Sequence, residues 1–109
     1  MLSKPYRLPA FEVSRIMKSG KRIVHSGITL IYRPASVSRF AFVVSRKVDK
    51  RATTRNRMRR LMSESVRHLM PAIARPINGI FIGSKFLIGK TQKEVQGMVQ
   101  EVLREAISS

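Results

Sequence analysis

Residues 46–60 read RKVDKRATTRNRMRR, eight Lys or Arg against one Asp, a formal charge of +7. No small fold can bury such a segment, because an unpaired cation taken out of water costs several kcal/mol. The segment must lie on the surface and reach the core only through the apolar residues that follow. Those residues come at helical spacing: Met58, Leu61, Met62, Val66 and Leu69 fall at i, i+3, i+4, i+8 and i+11, and Pro71 ends the pattern. At about 100° per residue, Asn56, Arg60 and Arg67 lie opposite that stripe, with Arg57 and Arg59 on its flanks. The spacing predicts a helix that is glued to the fold on one side and cationic on the other. Asp49 and Thr53 are both candidates to cap its amino end.

Around this helix the pattern alternates between two periods. Val13, Ile16 and Met17, between Pro9 and Gly20, predict a short first helix with Pro9 in its first turn. ITLIY at 28–32 and FAFVV at 40–44 are β-branched and aromatic runs separated by RPASVS. They read as an antiparallel pair, with a further short strand at Arg22 to His25. GIFIG at 79–83 reads as a buried strand, and Val95, Met98, Val99, Val102, Leu103, Ala106 and Ile107 mark a closing helix. The expected order is α-β-β-(β)-α-β-α: an α/β (α+β) two-layer sandwich of helices packed on one small mixed sheet. At 109 residues with 43% hydrophobic content, one core and one domain, 1–109, are expected.

The whole chain carries 22 Lys and Arg against 6 Asp and Glu, a net charge of +16. Such self-repulsion is relieved by a polyanionic partner. The excess is lopsided: residues 76–109 hold four basic and three acidic residues, so +15 of the +16 falls on residues 1–75. There is no cysteine, the first residues have charges and prolines where a signal peptide needs an apolar core, and no run approaches the ~18 apolar residues of a membrane span. A soluble, cytoplasmic protein is expected.

The catalytic inventory is thin. The acidic residues Glu12, Asp49, Glu64, Glu94, Glu101 and Glu105 form no convergent pair or metal-ligand spacing, and Glu101 with Glu105 reads as a solvated helix face. His25 and His68 sit in no ligand motif, Ser45 lacks the turn of a hydrolase nucleophile, and no glycine loop cradles a phosphate. No catalytic residue, protein-bound metal or organic cofactor is expected. What remains is arginine chemistry, planar forks that bind phosphate oxygens in pairs and stack on bases. A membrane helix would expose its apolar stripe, which so small a domain needs as core. A DNA reader would more often show a helix-turn-helix or zinc module. A basic helix on a sheet suits structured RNA and single strands, with Arg46, Lys47, Lys50, Arg51, Arg55, Asn56, Arg57, Arg59, Arg60 and Arg67 as the binding set. Neither a membrane nor DNA is expected as a partner.

The stretch VVSRKVDKRATTRNRMRRLMSESVRH, residues 43–68, closely resembles the signature of the bacterial ribonuclease P protein subunit. In that signature a strand ends in Val-Ser-(Lys/Arg)-Lys and Arg-Asn-Arg-x-(Lys/Arg)-Arg opens the following helix. RLP near the amino end, SGKR after the first helix, the later apolar strand and the closing helix extend the resemblance over nearly the whole chain. The resemblance implies a protein that is not itself the catalyst. A large RNA cleaves precursor tRNA to make the mature 5′ end, with Mg²⁺ held chiefly by RNA. It implies that Arg55, Asn56, Arg57, Arg59 and Arg60 dock on the catalytic RNA, one protein per RNA, with Arg46 and Lys47 adding phosphate contacts. It also implies a cleft between the first helix and the sheet for the single-stranded 5′ leader, matched here by Val13, Met17 and Tyr32, and a left-handed crossover through the second helix. In two places this chain departs from the family: Val13 and Met17 replace aromatic residues common on the first helix, and Ser63 replaces a basic one. The alternative reading is a structural RNA-binding protein, such as a ribosomal protein or an RNA chaperone, without a role in tRNA processing.

Overall fold

The computed structural model describes residues 2 and 4–108; residues 1, 3 and 109 of the expected 1–109 unit lie outside them. After a 3-10 turn at Lys4–Tyr6 come α1 (Ala10–Ser19), β1 (Lys21–His25), β2 (Ile28–Pro34), β3 (Arg39–Val43), α2 (Ala52–Leu69), β4 (Ile77–Gly83) and α3 (Gln92–Ser108). The strand order is β1-β2-β4-β3, with β2 antiparallel to β1 and β4, and β3 parallel to β4. The expected order of elements holds, and β1 is the further short strand.

The pairing of the two early runs differs from expectation. β2 and β3 are not neighbours, because β4 inserts between them. β4 buries Ile77 and Phe81 on one face and Ile80 on the other, and a strand apolar on both faces belongs in the middle of a sheet. β3, with Ala41 and Val43 only half-buried, takes the edge. α2 consequently joins two parallel adjacent strands.

Alternation along each strand divides the apolar residues between two faces. Leu30 and Tyr32 of β2, Phe40 of β3 and Phe81 of β4 join Met58, Met62 and Val66 of α2 and Val95, Val99, Val102 and Leu103 of α3 in the main core. Phe81 sits between the rings of Phe40 and Phe42, each with its centroid 5.7 Å away. Ile31 and Ile80 face the other way and join Leu8 and Ile16 in a smaller cluster under α1. The two-layer packing therefore belongs to the α2/α3 face, and α1 adds a partial cover on the opposite one.

Local chemistry explains the ends. Pro9 is the amino cap of α1, one position ahead of the expected first turn, and its carbonyl accepts from the N–H groups of Glu12 and Val13. The chain leaves α1 through Gly20, where a Cβ would lie 2.8 Å from both the Ile16 carbonyl oxygen and Ile31 Cγ2, so α1 runs into β1 without a loop. α3 starts in a reciprocal box, with Thr91 N–H donating to Glu94 Oε1 at 2.9 Å and Glu94 N–H to Thr91 Oγ1 at 3.2 Å. Buried Ser65 is satisfied between α2 and α3, where Gln92 Nε2 donates to Ser65 Oγ at 2.8 Å and to the Leu61 carbonyl at 2.9 Å.

Candidate nucleic-acid interface

β3 ends at Val43, and Ser45, Arg46 and Lys47 follow it exposed to solvent. The turn that leads into α2 is organised by the one carboxylate of the basic run. Asp49 Oδ1 accepts from Arg51 N–H at 2.8 Å and from Arg51 Nε at 3.1 Å, and Oδ2 accepts from Arg51 Nη2 at 2.9 Å. These bonds lower the Asp49 pKa to about 2, the side-chain bond from Arg51 contributing most. Arg55 ties down the same turn, its Nη1 donating to the carbonyls of Asp49 at 3.0 Å and Lys50 at 2.9 Å. Neither Asp49 nor Thr53 is the cap: Arg51 holds that position without a side-chain bond, and Thr53 lies inside the first turn. Asp49 is spent on the turn two residues earlier.

The ten cationic or amide residues of the sequence reading therefore separate by what they touch. Arg51 and Arg55 hold the turn, Arg57 Nη2 donates to the Lys90 carbonyl at 3.3 Å, and Arg67 pairs with Glu64 at 2.9 Å. Arg59 donates to Asn56 Oδ1. The side chains of Arg46, Lys47, Lys50 and Arg60 are exposed or at the rim and have no partner among the described residues. These four, with Arg59 and Asn56, run from the end of β3 through the turn to the middle of α2, where Asn56, Arg59 and Arg60 border one pocket. Their acidic counterweights are engaged elsewhere: Glu12 with Arg15, Glu64 with Arg67, Glu94 with Thr91 and Glu105 with His25. Among the described residues no three His, Asp or Glu side chains converge on a point. No described helix is long and apolar enough to cross a membrane.

The residues assigned to a leader cleft do not share one place. Val13 is half-buried and packs with Ala41, Val43 and Ile82 against the cluster under α1. Met17 is 44% exposed; on a helix it shares the Val13 flank of Ile16, while Glu12, Arg15 and Ser19 take the other flank. That second flank is fixed by Arg33, whose Nη1 donates to Ser19 Oγ at 3.2 Å. Tyr32 lies elsewhere: it is 5% exposed and belongs to the main core on the opposite face. The reason is strand alternation. Ile31 faces α1, so Tyr32 must face α2 and α3. Phe11 is 70% exposed and lies on the Arg15 side of α1, away from Val13 and Met17.

The sequence reading missed the floor of the apolar strip on the Val13 side of α1, which Ala41, Val43 and Ile82 form. Ile82, Ala41 and Val43 are legible only once β4 is known to lie beside β3, since they come from different strands. Arg7 was also missed. A parallel bridge from Arg7 to Phe40 carries the tail along the outer edge of β3 and brings Arg7 to the same pocket as Asn56, Arg59 and Arg60. The RLP run was the signal that marked this position.

Comparison with known proteins is consistent with this geometry. The ribonuclease P family model matches residues 3–107. The chain belongs to the ribonuclease P protein family. A ribonuclease P protein component of Synechococcus is 31% identical over 97% of this chain and 85% of its own length. The RNase P protein of Thermotoga maritima superposes with a TM-score of 0.81 at 24% identity, covering 91% of this chain and 96% of that one. A mutant RNase P protein of Staphylococcus aureus gives 0.83 at 21% identity, covering 94% and 89%. These two structures establish the shared fold. As a member of the family, the chain is a protein component of ribonuclease P, the ribonucleoprotein endoribonuclease of tRNA processing, and works with the ribonuclease P RNA.

Proposed function

We propose that the cationic face built by Arg46, Lys47, Lys50, Asn56, Arg59 and Arg60 docks on the catalytic RNA, and that the strip beside α1 holds the 5′ leader of precursor tRNA. The observation that carries the docking reading is the absence of a neutralising carboxylate: the one acid in residues 46–60 is tied to Arg51. Arg51, Arg55, Arg57 and Arg67 support this face by shaping or flanking it. Val13, Met17, Ala41, Val43 and Ile82 offer an apolar surface beside the chain end that carries Arg46 and Lys47 for the leader's phosphates. Tyr32 supports this surface from beneath the sheet rather than by contact.

In this reading the protein performs no bond-breaking step. It screens the repulsion between two RNAs and adds contacts that only a leader-bearing substrate makes. Mg²⁺ is held chiefly by the RNA, the complex is one protein to one RNA, residues 1–109 act as a single RNA-binding domain, and the compartment is the cytoplasm. With about six phosphate contacts, RNA affinity falls with a log-log salt slope of roughly 4 to 5. The test is precursor tRNA cleavage by a bacterial ribonuclease P RNA at low Mg²⁺, with and without the protein, beside a protein-only control. Stimulation that requires both components supports the reading. Tight RNA binding without stimulation supports a structural RNA-binding protein instead.

A further inference from the structure

Between α2 and the outer edge of β3 lies a pocket of about 600 Å³. Its apolar wall includes Leu8 and Phe42, Ser63 closes its α2 side, and Arg7, Arg59 and Arg60 stand around it with Asn56. We propose that this pocket seats one unpaired nucleotide of the RNA partner, its base against Phe42 and its phosphate on Arg7, Arg59 and Arg60. The inference rests on the docking reading above and assigns it a specific contact.

Three observations carry it. The first is charge: three guanidinium groups line the pocket and no carboxylate does, which selects an anion. The second is size, since 600 Å³ falls within the range of small-ligand sites, and an apolar wall beside cations suits a base joined to a phosphate. The third is the strand edge. Phe40 directs its carbonyl outward to Leu8 N–H at 2.9 Å, and alternation directs the N–H and C=O of Phe42 to the same edge. They have no partner among the described residues. The tail does not continue the ladder past Leu8, because the chain turns into α1 at Ala10.

Phe42 thus offers one donor and one acceptor side by side, the complement of a nucleobase edge. A peptide strand would need more: β3 ends at Val43, so this free edge is too short for strand addition. Ser63 sets the depth. It is 2% exposed, and its hydroxyl donates back to the Arg60 carbonyl at 3.1 Å, so its short side chain leaves the space beside it open.

The test is an NMR titration of the full chain, at fixed ionic strength, with nucleoside 5′-monophosphates, ribose 5-phosphate and inorganic phosphate. The nucleotides are expected to bind at least ~10-fold more tightly than ribose 5-phosphate and to move the Phe42 amide resonance. Ser63→Arg, which fills the pocket, should erase that preference. Should Ser63→Arg not fold, Arg7→Ala carries the test and should weaken nucleotide binding several-fold. Equal binding of nucleotide and ribose 5-phosphate, an unmoved Phe42 amide, or indifference to Arg7→Ala overturns the proposal. Binding of the same wild-type sample to ribonuclease P RNA separates the two readings. Salt-steep RNA binding without nucleotide preference sinks the pocket alone, whereas no RNA binding sinks the docking reading beneath it.

Discussion

The two faces of the sheet are built from the same strands and do opposite things. One is sealed by α2 and α3, and its residues, from Leu30 to Phe81, are almost entirely removed from water. The other carries a single ten-residue helix and four buried residues, and leaves Val13, Ala41, Val43 and Ile82 half open. Stability is therefore concentrated on one face, which frees the other, and the outward side of α2, to be shaped by ligands. A residue's face rather than its type predicts whether its loss unfolds the protein or disarms it.

The largest effect expected from this division is at the centre of the sealed face. Phe81→Ala removes the ring that Phe40 and Phe42 flank and should cost about 3–5 kcal/mol in urea unfolding. A loss below about 1 kcal/mol would mean that the core does not rest on this face. Tyr32→Ala sharpens the same point. As a core residue it should lower stability by about 2–4 kcal/mol and weaken binding of precursor and mature tRNA alike. A selective loss for the leader-bearing substrate would return Tyr32 to the cleft.

On the outward side of α2, Arg59→Ala with Arg60→Ala should leave the unfolding midpoint nearly unchanged and reduce the log-log salt slope of RNA binding by about 2. An unaltered slope would remove both residues from the docking face. On the open face, Ile82→Ala should cost about 1 kcal/mol of stability or less, since it is only half-buried. It should also lower the preference for leader-bearing over mature tRNA several-fold. An unchanged preference places the leader elsewhere.

The smallest effect concerns the turn before α2. The Asp49 carboxyl is lowered from 3.8 to about 2 by its bonds to Arg51. A depressed carboxylate stabilises above its unfolded pKa and loses that contribution as pH falls through its folded one. The turn should therefore hold above about pH 4 and loosen between about pH 4 and pH 2, read as amide exchange at Arg51 and Arg55. Asp49→Asn should flatten that profile, and an identical profile in the variant would remove Asp49 from the turn.

The helices were legible in the sequence because each one carries its own apolar stripe and stop: Met58 to Leu69 before Pro71, and Val95 to Ile107 at the end. The basic face was legible for the same reason, since it occupies one continuous segment. The pairing of β2 with β3 was misread because neighbouring runs suggest a hairpin, and only the two-sided burial of β4 forces it between them. Tyr32 was misplaced by one residue of alternation, which resemblance of motifs does not fix. The roles of Arg51 and Arg55 were hidden because a guanidinium bonded to Asp49 or to a turn carbonyl looks, in sequence, like one facing a phosphate.

The most direct test of the division between the faces is cleavage of one precursor tRNA, carrying either a full-length or a shortened 5′ leader, by a bacterial ribonuclease P RNA at low Mg²⁺. Wild-type protein should stimulate cleavage strongly and favour the full-length leader, and Ile82→Ala should keep RNA binding while weakening that preference several-fold. Stimulation that ignores the leader, or an Ile82→Ala protein that retains the preference in full, would contradict the account.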